Sequence, residues 1–129
     1  MYELTKSKYC KGLQCPKILW LDEHHPEFGE NIANKSVLDN GTKVGELAIS
    51  YFGEYELVGF NANKNEMVDR TRKLMETADN IAEASFCYDF FFCSVDILHR
   101  NDEGWDLVEV KSSTEVSEIY LEDAAFQYY

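Results

Sequence analysis

No apolar run in the chain is long enough to cross a bilayer. Its first residues, Met1-Tyr2-Glu3-Leu4-Thr5-Lys6, lack the apolar stretch of a secretory leader. These two absences predict a cytoplasmic protein with no membrane partner. There is no internal repeat, low-complexity tract or inter-domain linker, so residues 1–129 read as one domain. Basic residues are scarce: 12 Lys and Arg stand against 24 Asp and Glu, a formal net charge of −12. That balance excludes a broad basic face for gripping nucleic acid. Contacts to such a partner must come from local patches, such as Lys6, Lys8, Lys11 and Lys17, or from parts outside this chain. Taken singly, each of these lysines reads as a solvated side chain. Only four cysteines are present. In a cytoplasmic chain they read as reduced thiols or metal ligands, and their spacing follows no strong metal pattern.

What is present suffices for a core: 45% of residues are hydrophobic and 14% aromatic. Thr5 is placed to cap a short helix stopping near Gly12, and Pro16 suits the first turn of a second, which His24-His25-Pro26-Glu27 ends. Residues 28–40 read as a loop with a helical turn. Asn40-Gly41-Thr42 opens a third helix, with Val44, Leu47, Ala48 and Tyr51 on one apolar face. Tyr55–Val58 reads as a short strand. Asn63 followed by Glu66 resembles a capping box for a helix buried along Met67, Thr71, Leu74, Met75 and Ala78. Ile81–Cys87 is the first strand of a meander that turns at Tyr88-Asp89, and Ser117 caps a final helix from Glu118.

The chain is organised around residues 90–111, where two apolar runs flank the polar turn Arg100-Asn101-Asp102-Glu103-Gly104, a hairpin signal. Asp96, Glu109 and Lys111 interrupt these runs. Glu109 and Lys111 are two apart and share a strand face. A turn centred between Asp102 and Glu103 sets Asp96 opposite Glu109, whereas a bulge at Gly104 would shift the pairing by one residue. Two facing carboxylates repel, and a cation between them removes that penalty. The alternative is a structural Lys–Glu ion pair at a sheet edge.

An Asp on one strand and Glu-x-Lys on the next resembles the PD-(D/E)xK nuclease superfamily. Val95-Asp96-Ile97-Leu98, the run Leu107-Val108-Glu109-Val110-Lys111-Ser112-Ser113-Thr114, Gln127 and the upstream Cys15-Pro16-Lys17-Ile18-Leu19-Trp20 resemble its RecB-like branch, which includes CRISPR-associated RecB-like exonucleases. The resemblance implies an α/β fold: a restriction-endonuclease-like core with helices packed on a small central sheet and an antiparallel three-strand meander. It also implies a fourth core strand after the last helix. The residues for it are not in this chain, so a fragment of a longer chain is expected.

The same resemblance implies metal-dependent hydrolysis of DNA phosphodiesters, in repair, recombination or CRISPR adaptation, with DNA as partner alongside proteins of a repair or CRISPR complex. Asp96 and Glu109 would hold Mg²⁺ or Mn²⁺, ions that prefer oxygen ligands. Lys111 would be the catalytic cation. Glu46, in Gly41-Thr42-Lys43-Val44-Gly45-Glu46, would be an auxiliary metal ligand, its bland alternative being an exposed helical Glu. Gln127 matches the glutamine of the branch's Gln-x-x-x-Tyr motif and would act in positioning. Cys15 resembles an iron–sulfur ligand of the CRISPR-associated relatives. The other three ligands implied by that group have no counterpart here, so an iron–sulfur cluster is expected only in a longer protein. A four-thiolate site of Cys10, Cys15, Cys87 and Cys93, or a zinc site using His24 or His25, is the weaker alternative to free thiols. The competing function is non-enzymatic: a catalytically silent nuclease-derived module that binds a protein partner or mimics the charge of DNA.

Overall fold

The computed structural model describes residues 4–28 and 35–129, with backbone alone for residues 35–39. The order is β1 (Leu4–Thr5), α1 (Lys6–Gln14), α2 (Pro16–His24), a 3-10 turn (Pro26–Phe28), α3 (Lys35–Tyr51), β2 (Glu56–Leu57), α4 (Lys64–Leu74), β3 (Asn80–Tyr88), β4 (Phe91–Asn101), β5 (Gly104–Val108) and α5 (Glu118–Tyr128). This is a mixed α/β architecture: an open five-stranded sheet with helices against it. Among the described residues no helix is long and apolar enough to cross a membrane.

Local chemistry sets most boundaries. The Thr5 hydroxyl accepts the Lys8 N–H and caps α1. Pro16 occupies the first turn of α2, where its missing N–H costs nothing. The Asn63 side chain accepts from the Asn65 N–H and its amide donates to Glu66, a variant of the expected capping box.

The third helix departs from expectation. It does not open at Asn40-Gly41-Thr42; it begins at Lys35 and runs through them. Residues 29–34 of the expected loop lie outside the described residues. Nor is Val44/Leu47/Ala48/Tyr51 its inner face: Leu47 is 73% exposed and Tyr51 88%. Ile49 is buried instead, and Ala48 and Phe52 pack beside it. With Gly45 these follow the same i, i+3, i+4, i+7 spacing, one residue later, so the period was right and the phase was not.

The sheet is covered on both faces. Val58, Met67, Ile81, Ala84, Phe92, Val95 and Leu98 form one cluster beneath α4, while Ile49, Ala82 and Ile97 form a second against α3. Neighbours in sequence such as Ile81 and Ala82, or Ile97 and Leu98, thus serve opposite faces. Buried Thr71 ties α4 to the sheet: its Oγ1 accepts the Ser85 N–H at 2.8 Å and donates to Met67 O.

β4 is the hub. β3 lines one edge antiparallel, from Tyr88↔Phe91 to Asn80↔His99, across a tight turn at Asp89-Phe90. The other edge has two different partners: β1 pairs in parallel at Phe91 and Phe92, and β5 pairs antiparallel from Ile97 to Asn101. Between them, residues 93–96 of β4 have no strand partner on that edge among the described residues. The hairpin closes through Asn101↔Gly104 with Asp102-Glu103 as its loop, so Gly104 makes no bulge and Asp96 falls in line with Glu109, as the symmetric turn predicts.

Candidate active site

The gap on the β4 edge is where the candidate residues meet. The chain leaves β4 after Thr5 and turns directly into α1, which places Lys6 at the gap. It leaves β4 again after Val108, and Glu109, Val110 and Lys111 follow outside any strand. α5 closes the third side with Asp123 and Gln127, one turn apart on one helix face. Aromatic packing holds these helices in place: Tyr9 of α1 packs tilted and Phe91 of β4 edge-on against Phe126 of α5, at 5.0 and 5.7 Å between ring centroids.

Glu109 is the centre. Lys6 Nζ donates to both its carboxylate oxygens, at 3.1 and 3.0 Å. Lys111 Nζ donates to Oε1 at 2.5 Å, and Gln127 Nε2 to Oε2 at 2.9 Å. Asp123 faces the same two lysines, 2.6 Å from Lys111 and 3.5 Å from Lys6. Two cations and two anions therefore alternate in a closed ring. The Glu109 and Asp123 side chains are only 11% and 10% exposed. Burial would release the Lys111 proton, but hydrogen bonds to Asp123 and Glu109 outweigh it and hold the ammonium well above its ordinary pKa. Asp123 is likewise pushed up by burial and pulled further down by Lys111 and Lys6, ending below the ordinary carboxylate range.

Asp96 stands beside this ring as an additional anion. Its Oδ2 accepts the Val110 N–H at 2.7 Å, and its Oδ1 has no hydrogen bond among the described residues. Burial pushes its pKa up, the Val110 bond opposes this, and the charge of Glu109 adds to the rise. Asp96, Glu109, Lys111 and Gln127 are thus brought to one place.

Glu46 is not. It is exposed on α3 and makes no hydrogen bond or ion pair with the cluster, so the auxiliary ligand expected there is not part of it. Among the described residues, no three His, Cys, Asp or Glu side chains are arranged to hold one metal ion. The donor set here is two carboxylates, Asp96 and Glu109. Their oxygen-only chemistry and the open Asp96 Oδ1 fit a hard divalent ion of the Mg²⁺ or Mn²⁺ kind, which is commonly held by one or two carboxylates with water and phosphate completing the shell.

Two members were missed in the sequence. Lys6 read as a solvated lysine, yet its side chain is 19% exposed and bridges two acids. Asp123 drew no attention; its signal was the i, i+4 relation to Gln127. Of the four thiols, Cys93 is buried and Cys10 half-buried, and burial raises the pKa of both. Cys15 and Cys87 are exposed. No protein-family model, curated protein or solved structure matches this chain.

Proposed function

We propose that this chain is a metal-dependent nuclease of the PD-(D/E)xK type, in the RecB-like branch, hydrolysing DNA phosphodiesters on a restriction-endonuclease-like core. One observation carries the reading. Asp96, Glu109, Lys111 and Gln127, drawn from three elements, converge at the gap where β1 and β5 leave β4. A solvated ion pair would not need a half-buried second carboxyl, Asp96, beside it or a helical glutamine aimed at it.

Asp96 and Glu109 would hold the divalent ion. When bound, such an ion supplies positive charge to a phosphate oxygen and lowers the pKa of a water. Lys111 provides a fixed ammonium beside Glu109 that neutralises developing negative charge. Its raised pKa keeps it protonated across neutral pH. Gln127 orients Glu109 by donating to Oε2.

The test is cleavage of end-labelled DNA with Mn²⁺ against EDTA, paired with melting curves. Glu109→Gln and Lys111→Ala should each lower the rate by about 10²–10³-fold, the usual cost of removing one electrostatic catalytic group. Mn²⁺ should raise the wild-type melting midpoint and leave those of Asp96→Asn and Glu109→Gln unmoved. A wild-type midpoint indifferent to Mn²⁺ would sink the proposal.

The second reading, a catalytically silent module that binds a protein or mimics DNA, draws on a specific observation too. Both Glu109 oxygens are already matched by lysine. A ring that never admits a metal would give the inert outcome in the same melting assay.

A further inference from the structure

The ring of charges carries one more assignment, resting on the nuclease reading. Lys6 and Lys111 both bond Glu109, the carboxylate that has to accept a divalent ion. Left with Glu109 as their only anion, two ammonium groups would compete with that ion for the same oxygens. Asp123 changes this. It is 7% exposed overall, and its two oxygens are divided between the lysines, Oδ2 at 2.6 Å from Lys111 and Oδ1 at 3.5 Å from Lys6. Its place is fixed by α5, whose Phe126 is clamped by Tyr9 and Phe91, and by Gln127 donating to its backbone oxygen at 3.3 Å. Gln127 Nε2 also lies 3.4 Å from Asp123 Oδ1, so one amide group spans Glu109 and Asp123 and fixes their spacing.

We infer that Asp123 is a positioning residue: it gives Lys6 and Lys111 a second anion, so that Glu109 can join Asp96 in holding a divalent cation while both lysines stay in place. Asp123 itself does not touch the ion. Lys6 is its counterpart, the ammonium that must be shared if Glu109 is to be released.

Calorimetric titration of the whole chain with Mn²⁺ tests this, each variant first checked by circular dichroism. Asp123→Asn, which keeps shape but not charge, should weaken Mn²⁺ binding about tenfold or more, because both ammonium groups then fall to Glu109. Adding Lys6→Met to that variant should restore binding to within about threefold of wild type, since one competitor and one missing charge cancel. Lys6→Met alone should bind Mn²⁺ at least as tightly as wild type, and it keeps the inference testable if Asp123→Asn does not fold. Asp123→Glu should rescue most of the loss. Wild-type affinity in Asp123→Asn overturns the inference, as does a double variant as weak as the single, which would make Asp123 a direct ligand. So does weakened binding in Lys6→Met. Those three results leave the nuclease reading standing. A wild-type chain that binds no Mn²⁺ overturns both.

Discussion

Glu83 stands directly across from Asp96 on β3 and β4, and the two do not pair. The ladder runs through Ala82↔Ile97, skips one position and resumes at Ala84↔Val95 with the register unchanged. Glu83 has φ 57°, left-handed backbone within an extended strand. The face alternation breaks at the same point. Ile81 and Ala84, three residues apart, join one cluster, as do Leu98 and Val95. Asp96, opposite this break, accepts the Val110 N–H from the segment that follows β5. A left-handed residue inside a strand is strained backbone, and here it lies across from a candidate site residue.

That strain is measurable at Glu83, whose side chain is exposed. A left-handed conformation costs an L-residue about 1–2 kcal/mol, and glycine escapes it while losing part of the gain to chain entropy. Glu83→Gly should therefore stabilise the fold by about 0.5–1 kcal/mol in urea unfolding. Glu83→Val, branched at Cβ, should destabilise it by about 1–2 kcal/mol. The reverse order would mean that the left-handed turn carries no strain.

Thr71 gives a second stability test, away from the site. The Ser85 N–H donates to its hydroxyl across the α4–β3 interface, and both residues are fully buried. Thr71→Val keeps the shape and removes the acceptor, leaving a buried donor unpaired. The expected cost is about 1–3 kcal/mol in urea unfolding, with Thr71→Ser retaining most of the bond. Equal stability of Thr71→Val and wild type would show that the helix is held by apolar contacts alone.

Arg100 pins the segment after α4. Its guanidinium lies 4.2 Å from the Trp105 ring and donates to the carbonyls of Met75 and Ala78. Arg100→Lys keeps the charge but not the planar fork, and should cost about 1 kcal/mol in thermal or urea unfolding. A variant as stable as wild type would show that stacking and fork add nothing there.

How far the sequence revealed all this follows from what each signal consists of. The hairpin register was legible because a two-residue polar loop between apolar runs admits few alternatives, and it set Asp96 in line with Glu109. Gln127 was legible only through resemblance. Lys6 and Asp123 were not, because a charged residue in a helical turn is usually solvated, and their partners lie 103 and 12 residues away along the chain. The phase of α3 was misread because two stripes one residue apart carry the same period, and only the packed sheet selects Ala48, Ile49 and Phe52. The break at Glu83 has no sequence signature at all: glutamate is an unremarkable strand residue until the backbone is seen.

The two site aspartates should respond to pH in opposite senses, in EDTA so that no metal intervenes. Burial raises the native pKa of Asp96, with Glu109 adding to it. As pH climbs from the ordinary carboxylate value through that raised value, the unfolded chain has already released its proton while the native state still holds one. Asp96 therefore removes stability over that window, and the loss persists above it. Asp123 is the reverse. Despite the burial that opposes it, Lys111 and Lys6 hold its native pKa low, so it contributes stability above the ordinary carboxylate value that is lost as pH falls through the lowered one. Asp96→Asn, whose amide oxygen can still accept the Val110 N–H, should thus become more stable than wild type as pH rises toward neutrality. Asp123→Asn should become less stable over the same rise, by about 1.5–3 kcal/mol at neutral pH, the cost of removing a charged hydrogen-bond partner. Urea unfolding of the three proteins between acid and neutral pH reads both. Divergence in opposite directions is the expected result. Two variants that shift alike would mean that the carboxylates share one electrostatic environment and that Asp96 is simply another member of the ring.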